Sequence, residues 1–476
     1  MTTTSFYIDG AWHEAASSER HPVYNPSTEQ AFTETAWATA DEVGEAVLAA
    51  RGAFDAWSTT DPAERVDAID RLVAVFTGRI DEMSAAISEE MGAPLALSRN
   101  AQSPVGLNHL KTFARELADM EFVRELDGPE HLVALEPAGV AALITPWNWP
   151  MNQICLKVGA AMAAGCTMVL KPSEIAPVSA ALFAEFCDEA ELPAGVFNLV
   201  QGDGVGTGTA LTSHPEVDLI SFTGSTRAGM AISKAAADTV KRVSLELGGK
   251  SPNVVFADSD LEQSVPAGVG MCFNNTGQSC ISPSRMLIEQ SAYDQAVALA
   301  AEAAANTQVN LASEEGSHLG PLVSEEQFTK VQRLIETGIA EGARLVAGGP
   351  GRPDGLDTGW FVKPTVFADV TPDMTIWNEE IFGPVLTMSA FGTDDEAAEM
   401  ANDTEYGLAA YIQGQDQDRV QTLARRIRAG VVQINGARRA PNAPFGGYKQ
   451  SGNGREGGRY GIEDFLEVKS LSGWPS

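Results

Sequence analysis

The chain has 476 residues, more than one hydrophobic core usually organises, so two or more lobes are expected. Hydrophobic residues make up 44% and charged residues 20%, a balance that excludes an extensively disordered chain. Lys+Arg 32 against Asp+Glu 64 gives a net charge of -32, which repels phosphate backbones and anionic lipid and argues against nucleic-acid and membrane partners.

The N-terminal MTTTSFYIDGAWHEA has no basic region followed by an apolar core, and no downstream stretch has the length of a bilayer span, so a cytoplasmic protein is expected. Residues 41–118 read as helical, with segments such as DEVGEAVLAARGAFDAW. FVRELDGPEHLVALEPAG reads as a hairpin turning on Asp127, Gly128 and Pro129. A lone hairpin is marginal, and the strand-like tail IEDFLEVKSL is expected to pair with it in a neighbouring subunit. From 140 to 249, short apolar runs (VAALI, TMVLK, VFNLV, SFTGST, VSLEL) alternate with helical patterns, which predicts a parallel sheet with right-handed crossovers. A second alternating block runs from SPNVVF through RMLIEQ, FVKPTVF, GPVLTMSAF, YGLAAYIQG and VVQING, a second α/β lobe of similar size. The five cysteines (155, 166, 187, 272 and 280) are odd in number and unclustered, against a disulfide framework or a structural zinc site.

Several segments carry chemistry-bearing residues, each with a plainer alternative. In GQSCISPSR, Cys280 lies among small polar neighbours that leave a thiol accessible and backbone N–H groups free to face an oxyanion; a lone cysteine in a polar turn also serves structure alone. In VSLELGGKSP, Glu246 ends a strand between leucines, where desolvation raises a carboxyl pKa toward that of a general base; the plainer reading is a backbone-capping carboxylate. ITPWNWP puts Asn148 just past a strand end, where open α/β sheets bind ligands and an amide can donate to an oxyanion; asparagine also simply forms turns. KPSE (Lys171, Ser173, Glu174) follows the next strand, suited to ribose hydroxyls or to a plain surface loop. FTGST offers Gly224 and Ser225 at a strand-to-helix junction suited to a pyrophosphate, although its glycine spacing is not GxGxxG, and GDGVGTG lies one unit earlier.

In this order, ITPWNWP, KPSE, FTGST, ELGGKSPN, GQSC, EEIFGPV and PFGGYKQSG resemble the aldehyde dehydrogenase superfamily over nearly the whole chain. The resemblance implies an α/β fold: a Rossmann-like cofactor-binding lobe (1–117 and 138–247), an α/β catalytic lobe (248–456) and a small β oligomerisation arm (118–137 and 457–476). It implies Cys280 as nucleophile, Asn148 with the Cys280 N–H as oxyanion donors, and Glu246 as the base that activates water for thioester hydrolysis, with no metal. NAD is the implied cofactor, with NADP compatible with the same glutamate. Its contacts would be Ile144, Thr145, Trp147, Lys171, Ser173, Glu174, Gly204, Phe222, Gly224, Ser225, Leu247, Gln327, Lys330, Glu380 and Phe382. Lys157 and Glu456 match a proposed proton route to the base. A homodimer or homotetramer is implied.

By the same resemblance the aldehyde tunnel would be lined by Trp149, Asn152, Gln153, Leu156, Ile281, Phe445 and the loop NGARRAPNA. Arg438 and Arg439 in that loop suit a substrate carboxylate, although solvated loop charge is the commoner use of such residues. The sequence around TPWNWPMNQI and GYKQSGNGREGG resembles the branch of bacterial oxo-acid and semialdehyde dehydrogenases, which implies a semialdehyde or oxo-acid as the small-molecule substrate, with broad aliphatic or aromatic aldehydes as the alternative. A cysteine hydrolase would want a histidine beside the thiol, and His13, His21, His109, His131, His214 and His318 form no recognisable triad. A CoA-acylating enzyme would not need Glu246.

Overall fold

The computed structural model describes residues 3–474. It opens with two hairpins not anticipated from the sequence: β1 (Ser5–Ile8) with β2 (Ala11–Glu14), and β3 (His21–Asn25) with β4 (Gln30–Thr35). Asp9 and Gly10 turn the first, both with positive φ (52° and 75°), the two-residue turn that matches strand twist. The helical region then forms as Ala40–Ser58, Pro62–Gly78, Ile80–Met91 and Ser103–Ala118. Thr39 and Glu42 make a reciprocal capping box at the first, and Asp61 caps the second with Pro62 at its first position. A π-helical turn, Ser98–Gln102, leads into the last.

Next come β5 (Val123–Glu125), β6 (His131–Pro137), β7 (Val140–Ile144), β8 (Thr167–Lys171), β9 (Phe197–Leu199), β10 (Leu219–Thr223) and β11 (Arg242–Glu246). The first sheet has the order β11-β10-β7-β8-β9-β1-β2, parallel from β11 to β9 and closed on one side by the antiparallel hairpin. The residues of β7, β8 and β10 are all buried, the unbroken apolar pattern of strands covered on both faces. One covering helix, Pro150–Ala164, is buried everywhere but at Asn152. It lies against Ser103–Ala118 at close range: a Cβ on Gly106 would come 2.6 Å from the Met151 carbonyl, and one on Gly159 would come 2.6 Å from Phe113.

The second sheet is built from β12 (Pro252–Val255), β13 (Arg285–Glu289), β14 (Arg344–Ala347), β15 (Thr365–Ala368), β16 (Val385–Phe391), β17 (Ala409–Gln413) and β18 (Val431–Ile434), in the order β14-β15-β16-β13-β12-β17-β18. Only β14 is antiparallel. The tail strand β19 (Leu466–Ser472) corrects the expectation of pairing in a neighbouring subunit: it pairs antiparallel with β6 of its own chain over seven residues, giving the three-stranded sheet β19-β6-β5. After the short helix Gly458–Glu463 the Phe465 carbonyl accepts from the Ala138 N–H just past β6, which delivers the tail to the edge of its own hairpin. Among the described residues no helix is long and apolar enough to cross a membrane.

Parallel register sets the site. Ile144 pairs with Lys171 and with Phe222, and Thr223 pairs with Glu246, so four strands end at one edge, with Lys171 and Glu246 as strand-end residues and Asn148 and Gly224 in the loops that follow. Leu135 on β6 is 7% exposed. Leu135→Ala should destabilise by about 2–4 kcal/mol in a denaturant titration. A loss below about 1 kcal/mol would mean that the arm lies outside the cooperative unit.

Candidate active site

Cys280 is half-buried, with its sulfur deep in the site, whereas the other four cysteines are fully buried. It lies between the helix Leu261–Phe273 and β13 in a loop whose backbone is held unusually: Asn275, Thr276 and Gly277 all have positive φ (54°, 57° and 72°). For a β-branched residue such as Thr276 this is a strained state that surrounding contacts must maintain, and its Oγ1 donates to the Gly320 carbonyl at 3.1 Å. Gly277 packs on the turn after Phe382, where a Cβ would fall 2.0 Å from the Gly383 carbonyl oxygen. Phe382 itself has φ 62°. The cysteine loop and the EEIFGPV loop are thus fitted backbone to backbone.

Cys280 and Gln153 both line two cavities. The first is also lined by Trp147, Asn148, Gly224, Ser225, Leu247, Gln327, Lys330, Glu380 and Phe382, so most of the residues assigned to the cofactor come together there. Ile144 and Phe222 pack beneath it in the core with Leu247. Ser225 caps the helix Thr226–Ala236, accepting from the Ala228 N–H. The hydroxyls of Thr145 and Thr223 and the Gln327 carbonyl oxygen are buried without a protein partner. Lys171 lies under the neighbouring loop, donating to the Pro172 and Gly202 carbonyls at 2.8 and 2.5 Å with the Glu174 carboxylate 3.7 Å away, and so ties KPSE to the Gly-rich turn. Ser173 Oγ accepts from the Ile175 N–H within that loop, and Gly204 lies open on the turn.

The second cavity, about 370 Å³, runs past Trp149, Asn152, Leu156, Ile281, Tyr411, Gln433, Arg439 and Phe445. The arginine expectation is corrected in half. Arg439 lines the cavity over the Phe445 ring and donates to the Ala443 carbonyl, whereas Arg438 is exposed and outside the lining, because consecutive side chains of a non-helical segment diverge. Trp149 is fixed by a 2.8 Å hydrogen bond from its Nε1 to Ser279 Oγ.

Glu246 is buried, and neither carboxylate oxygen has a protein partner. Burial pushes its carboxyl well above the usual range and the Glu456 charge adds to this, with Lys157 and Arg455 opposing. Lys157 donates to Glu456 Oε1 at 2.6 Å and to Ser221 Oγ at 3.0 Å, all of it buried. Burial also holds the Cys280 thiol up, reinforced by Glu380, Glu246 and Glu456, while its own N–H draws it down. The helix Pro150–Ala164 starts beside Asn148, adding positive partial charge at that end of the site.

Parts of the site were not legible beforehand. The SGNG run near the chain end clamps the Glu246 strand: Asn453 and Gly454 N–H groups donate to the Leu245 carbonyl, and Ser451 Oγ donates to Gly248. A Cβ on Gly446 would come 2.8 Å from Glu246 Oε1, so the glycines of PFGGYKQSG make room for the carboxylate. Lys250 is buried with its ammonium unpartnered and its pKa lowered by burial to about 7. Only the glycine spacing of PFGG and SGNG could have pointed to these contacts.

Two parallel sheets whose loops enclose a thiol between two cavities are the frame of an α/β oxidoreductase. The chain belongs to the aldehyde dehydrogenase family, whose model matches residues 12–471. It is 51% identical over 470 residues to the 3-succinoylsemialdehyde-pyridine dehydrogenase of a Pseudomonas species, covering 98% of each chain. Among solved structures it is similar to an aldehyde dehydrogenase from Bartonella henselae (49% identity, TM-score 0.98, 99% of each chain). It is also similar to a mutant aldehyde dehydrogenase C from Pseudomonas syringae in complex with NAD+ and octanal (48% identity, TM-score 0.98, 100% of this chain and 98% of that one).

Gly277→Ala tests the fit between the two loops. Its Cβ would meet backbone, which cannot swing aside, so Cys280 should be displaced and its alkylation by iodoacetamide slowed by at least about tenfold. An unchanged rate would show that the close packing does not position the thiol.

Proposed function

We propose that this protein oxidises an aldehyde to a carboxylic acid with NAD, through a covalent thioester on Cys280. The observation that carries the reading is that Cys280 lines both cavities, so one thiol meets a cofactor on one side and a substrate on the other. The residues around the first cavity fit a dinucleotide: a capped helix start for a pyrophosphate, Lys171 and Glu174 for a ribose, and buried unpartnered oxygens on Thr145, Thr223 and Gln327. Glu174 is half-buried there and its charge would meet a 2′-phosphate, which favours NAD, with NADP as the alternative. Relatives solved with NAD+ support the same cofactor. When bound there, NAD supplies the two-electron oxidant.

The chain's own residues do the rest. The Cys280 thiolate adds to the aldehyde carbon and the carbonyl electron pair moves onto oxygen, where the Asn148 amide and the Cys280 N–H donate to it. After oxidation, Glu246 takes a proton from water, hydroxide adds to the thioester carbon, and the thiolate leaves with the acid released. Lys157 and Glu456 are suited to carry that proton away from Glu246. The five free cysteines agree with a reducing, cytoplasmic setting. Assembly as a homodimer or homotetramer through the β19-β6-β5 sheet belongs to the same proposal, supported by the exposed Val123, Leu126, Val468 and Trp474 around it.

For the substrate, the proposal is an aldehyde with a distal carboxylate or oxo group. Among the described residues Arg439 is the one charged residue lining the second cavity, and the Pseudomonas relative is named for a semialdehyde. A broad-range reading has support too: Val105, Leu156, Met271 and Ile281 make an apolar wall, and a similar structure holds octanal.

Cys280→Ala should make no NADH from any aldehyde, whereas Glu246→Gln should give about one equivalent of NADH per site in a burst and then turn over about 10²–10⁴-fold more slowly. Because Glu246 is held protonated above the usual carboxylate range, the wild-type steady-state rate should rise with pH through a pKa above 4.5, and Glu246→Gln should lack that limb. A mutant lacking the burst but retaining slow turnover would place the base elsewhere.

Arg439→Met should raise KM for semialdehyde acids by about tenfold to a hundredfold, the worth of one charge-assisted hydrogen bond, and leave hexanal unaffected. Arg438→Ala should change neither. An unchanged preference ratio in Arg439→Met would leave the broad-range reading.

A further inference from the structure

We propose that Gln102 and Asn275 are positioning residues that aim the oxyanion donors at the reacting carbonyl. The inference rests on the reading of Asn148 as such a donor.

The geometry is a closed ring of buried amides. Asn148 Nδ2 donates to the Gln278 carbonyl at 3.0 Å. The amide is planar, so using one N–H in this way fixes the direction of the other, which is left free. The Asn148 backbone carbonyl accepts twice, from Asn275 Nδ2 at 2.9 Å and from Gln102 Nε2 at 3.1 Å, which fixes the main chain from which the amide projects. Gln102 Nε2 also donates to Asn275 Oδ1 at 3.1 Å, and Asn275 Nδ2 reaches the Gln278 carbonyl at 3.2 Å. Gln278 is held in turn, its Nε2 donating to the Asn275 carbonyl at 3.1 Å and its Oε1 accepting from the Val323 N–H at 3.0 Å. Gln102, Asn148, Asn275 and Gln278 are each 3% exposed or less.

Two unusual pieces of backbone serve this ring. Gln102 closes the π-helical turn Ser98–Gln102, and a π turn rotates the following residues relative to an α-helix, here bringing an amide from the helical region to the strand-end loop. Asn275 has φ 54°, a state asparagine tolerates better than most residues. The ring joins the Asn148 loop of the first sheet to the Cys280 loop of the second. It therefore fixes the Asn148 amide relative to the Cys280 N–H, the two donors a single oxygen must meet together.

The test compares two reactions of the same thiol in the purified enzyme. Acylation by p-nitrophenyl acetate passes through a tetrahedral oxyanion and releases nitrophenolate; alkylation by iodoacetamide displaces iodide and forms no oxyanion. Gln102→Met keeps length and helix propensity but removes the donors, and Asn275→Asp keeps the tolerance for positive φ but removes the amide N–H. Both should slow acylation, and kcat with aldehyde, by about tenfold to a hundredfold with KM within about twofold, while alkylation stays within about twofold of wild type. Should Asn275→Asp not fold, Gln102→Met carries the test alone. Equal loss in acylation and alkylation would mean a displaced thiol and overturn the proposal, as would no loss in either. Asn148→Ala separates the layers: if it leaves acylation unchanged, the oxyanion reading itself fails; if it slows acylation and Gln102→Met does not, only the positioning role fails.

Discussion

The shared C-terminal edge of the parallel strands is the constraint on which the rest of the molecule depends. A parallel ladder has no freedom to stagger one strand without exposing apolar residues of the whole sheet, and here β7, β8 and β10 are buried throughout. Pairing Ile144 with Lys171 and Phe222, and Thr223 with Glu246, fixes within one residue where four loops begin. Each loop can then be short, and short loops over a rigid edge hold side chains better than long ones. The second sheet adds the thiol from outside this frame, and the joint between the two is made by backbone: Gly452 on the Leu245 carbonyl and Gly249 on the Cys280 carbonyl. Side chains at these glycines would wedge the two sheets apart.

Electrostatics at the joint work against the thiol. Glu380, Glu246 and Glu456 all raise it, and Glu456 raises Glu246 in turn. On the proposed mechanism this is a compromise rather than a fault. A carboxyl held high stays protonated, and so uncharged, over more of the pH range, which spares the thiolate a neighbouring anion until a base is needed. Lys157 contributes the opposite charge at Glu456, far enough along the chain of groups to offset the carboxylates without pairing directly with Glu246. Positive partial charge from the helix starting at Pro150 and hydrogen bonds from backbone N–H groups are the remaining sources of stabilisation, and both are fixed by the fold.

What could be read from the sequence follows from how local the cause is. VAALI, TMVLK and SFTGST were legible as strands because burial on both faces writes an unbroken apolar run, and their loops were legible as sites because strand ends in parallel sheets face ligands. The N-terminal hairpins were missed although Asp9-Gly10 is a turn signal, since strands of four residues carry too little pattern to register. The partner of the tail strand was misjudged because pairing within and between chains leaves the same mark on a sequence. Arg438 and Arg439 were indistinguishable for a similar reason: which of two neighbours turns inward depends on the path of the loop. Gln102 had no signal at all, since a π turn differs from an α-helix by one hydrogen bond register and no residue type announces it.

The charge of the molecule bears on the proposed substrate in two opposed ways. A net charge of -32 sets up a field that disfavours the approach of an anion, yet among the described residues the second cavity is lined by no Asp or Glu and by one arginine. At physiological ionic strength the surface field fades over roughly 8 Å, so it acts on encounter and scarcely on a substrate already inside. Inside, Arg439 is partly buried and lines the cavity, and its one hydrogen bond, to the Ala443 carbonyl, leaves donors of the guanidinium unused in a medium where a charge-assisted bond is strong. The two effects separate by distance, so selectivity for an acidic or oxo-bearing aldehyde would be decided after entry. On that proposal a bare aliphatic aldehyde would meet neither the repulsion nor the reward, so one apolar wall would serve both kinds of substrate and Arg439 would tell them apart.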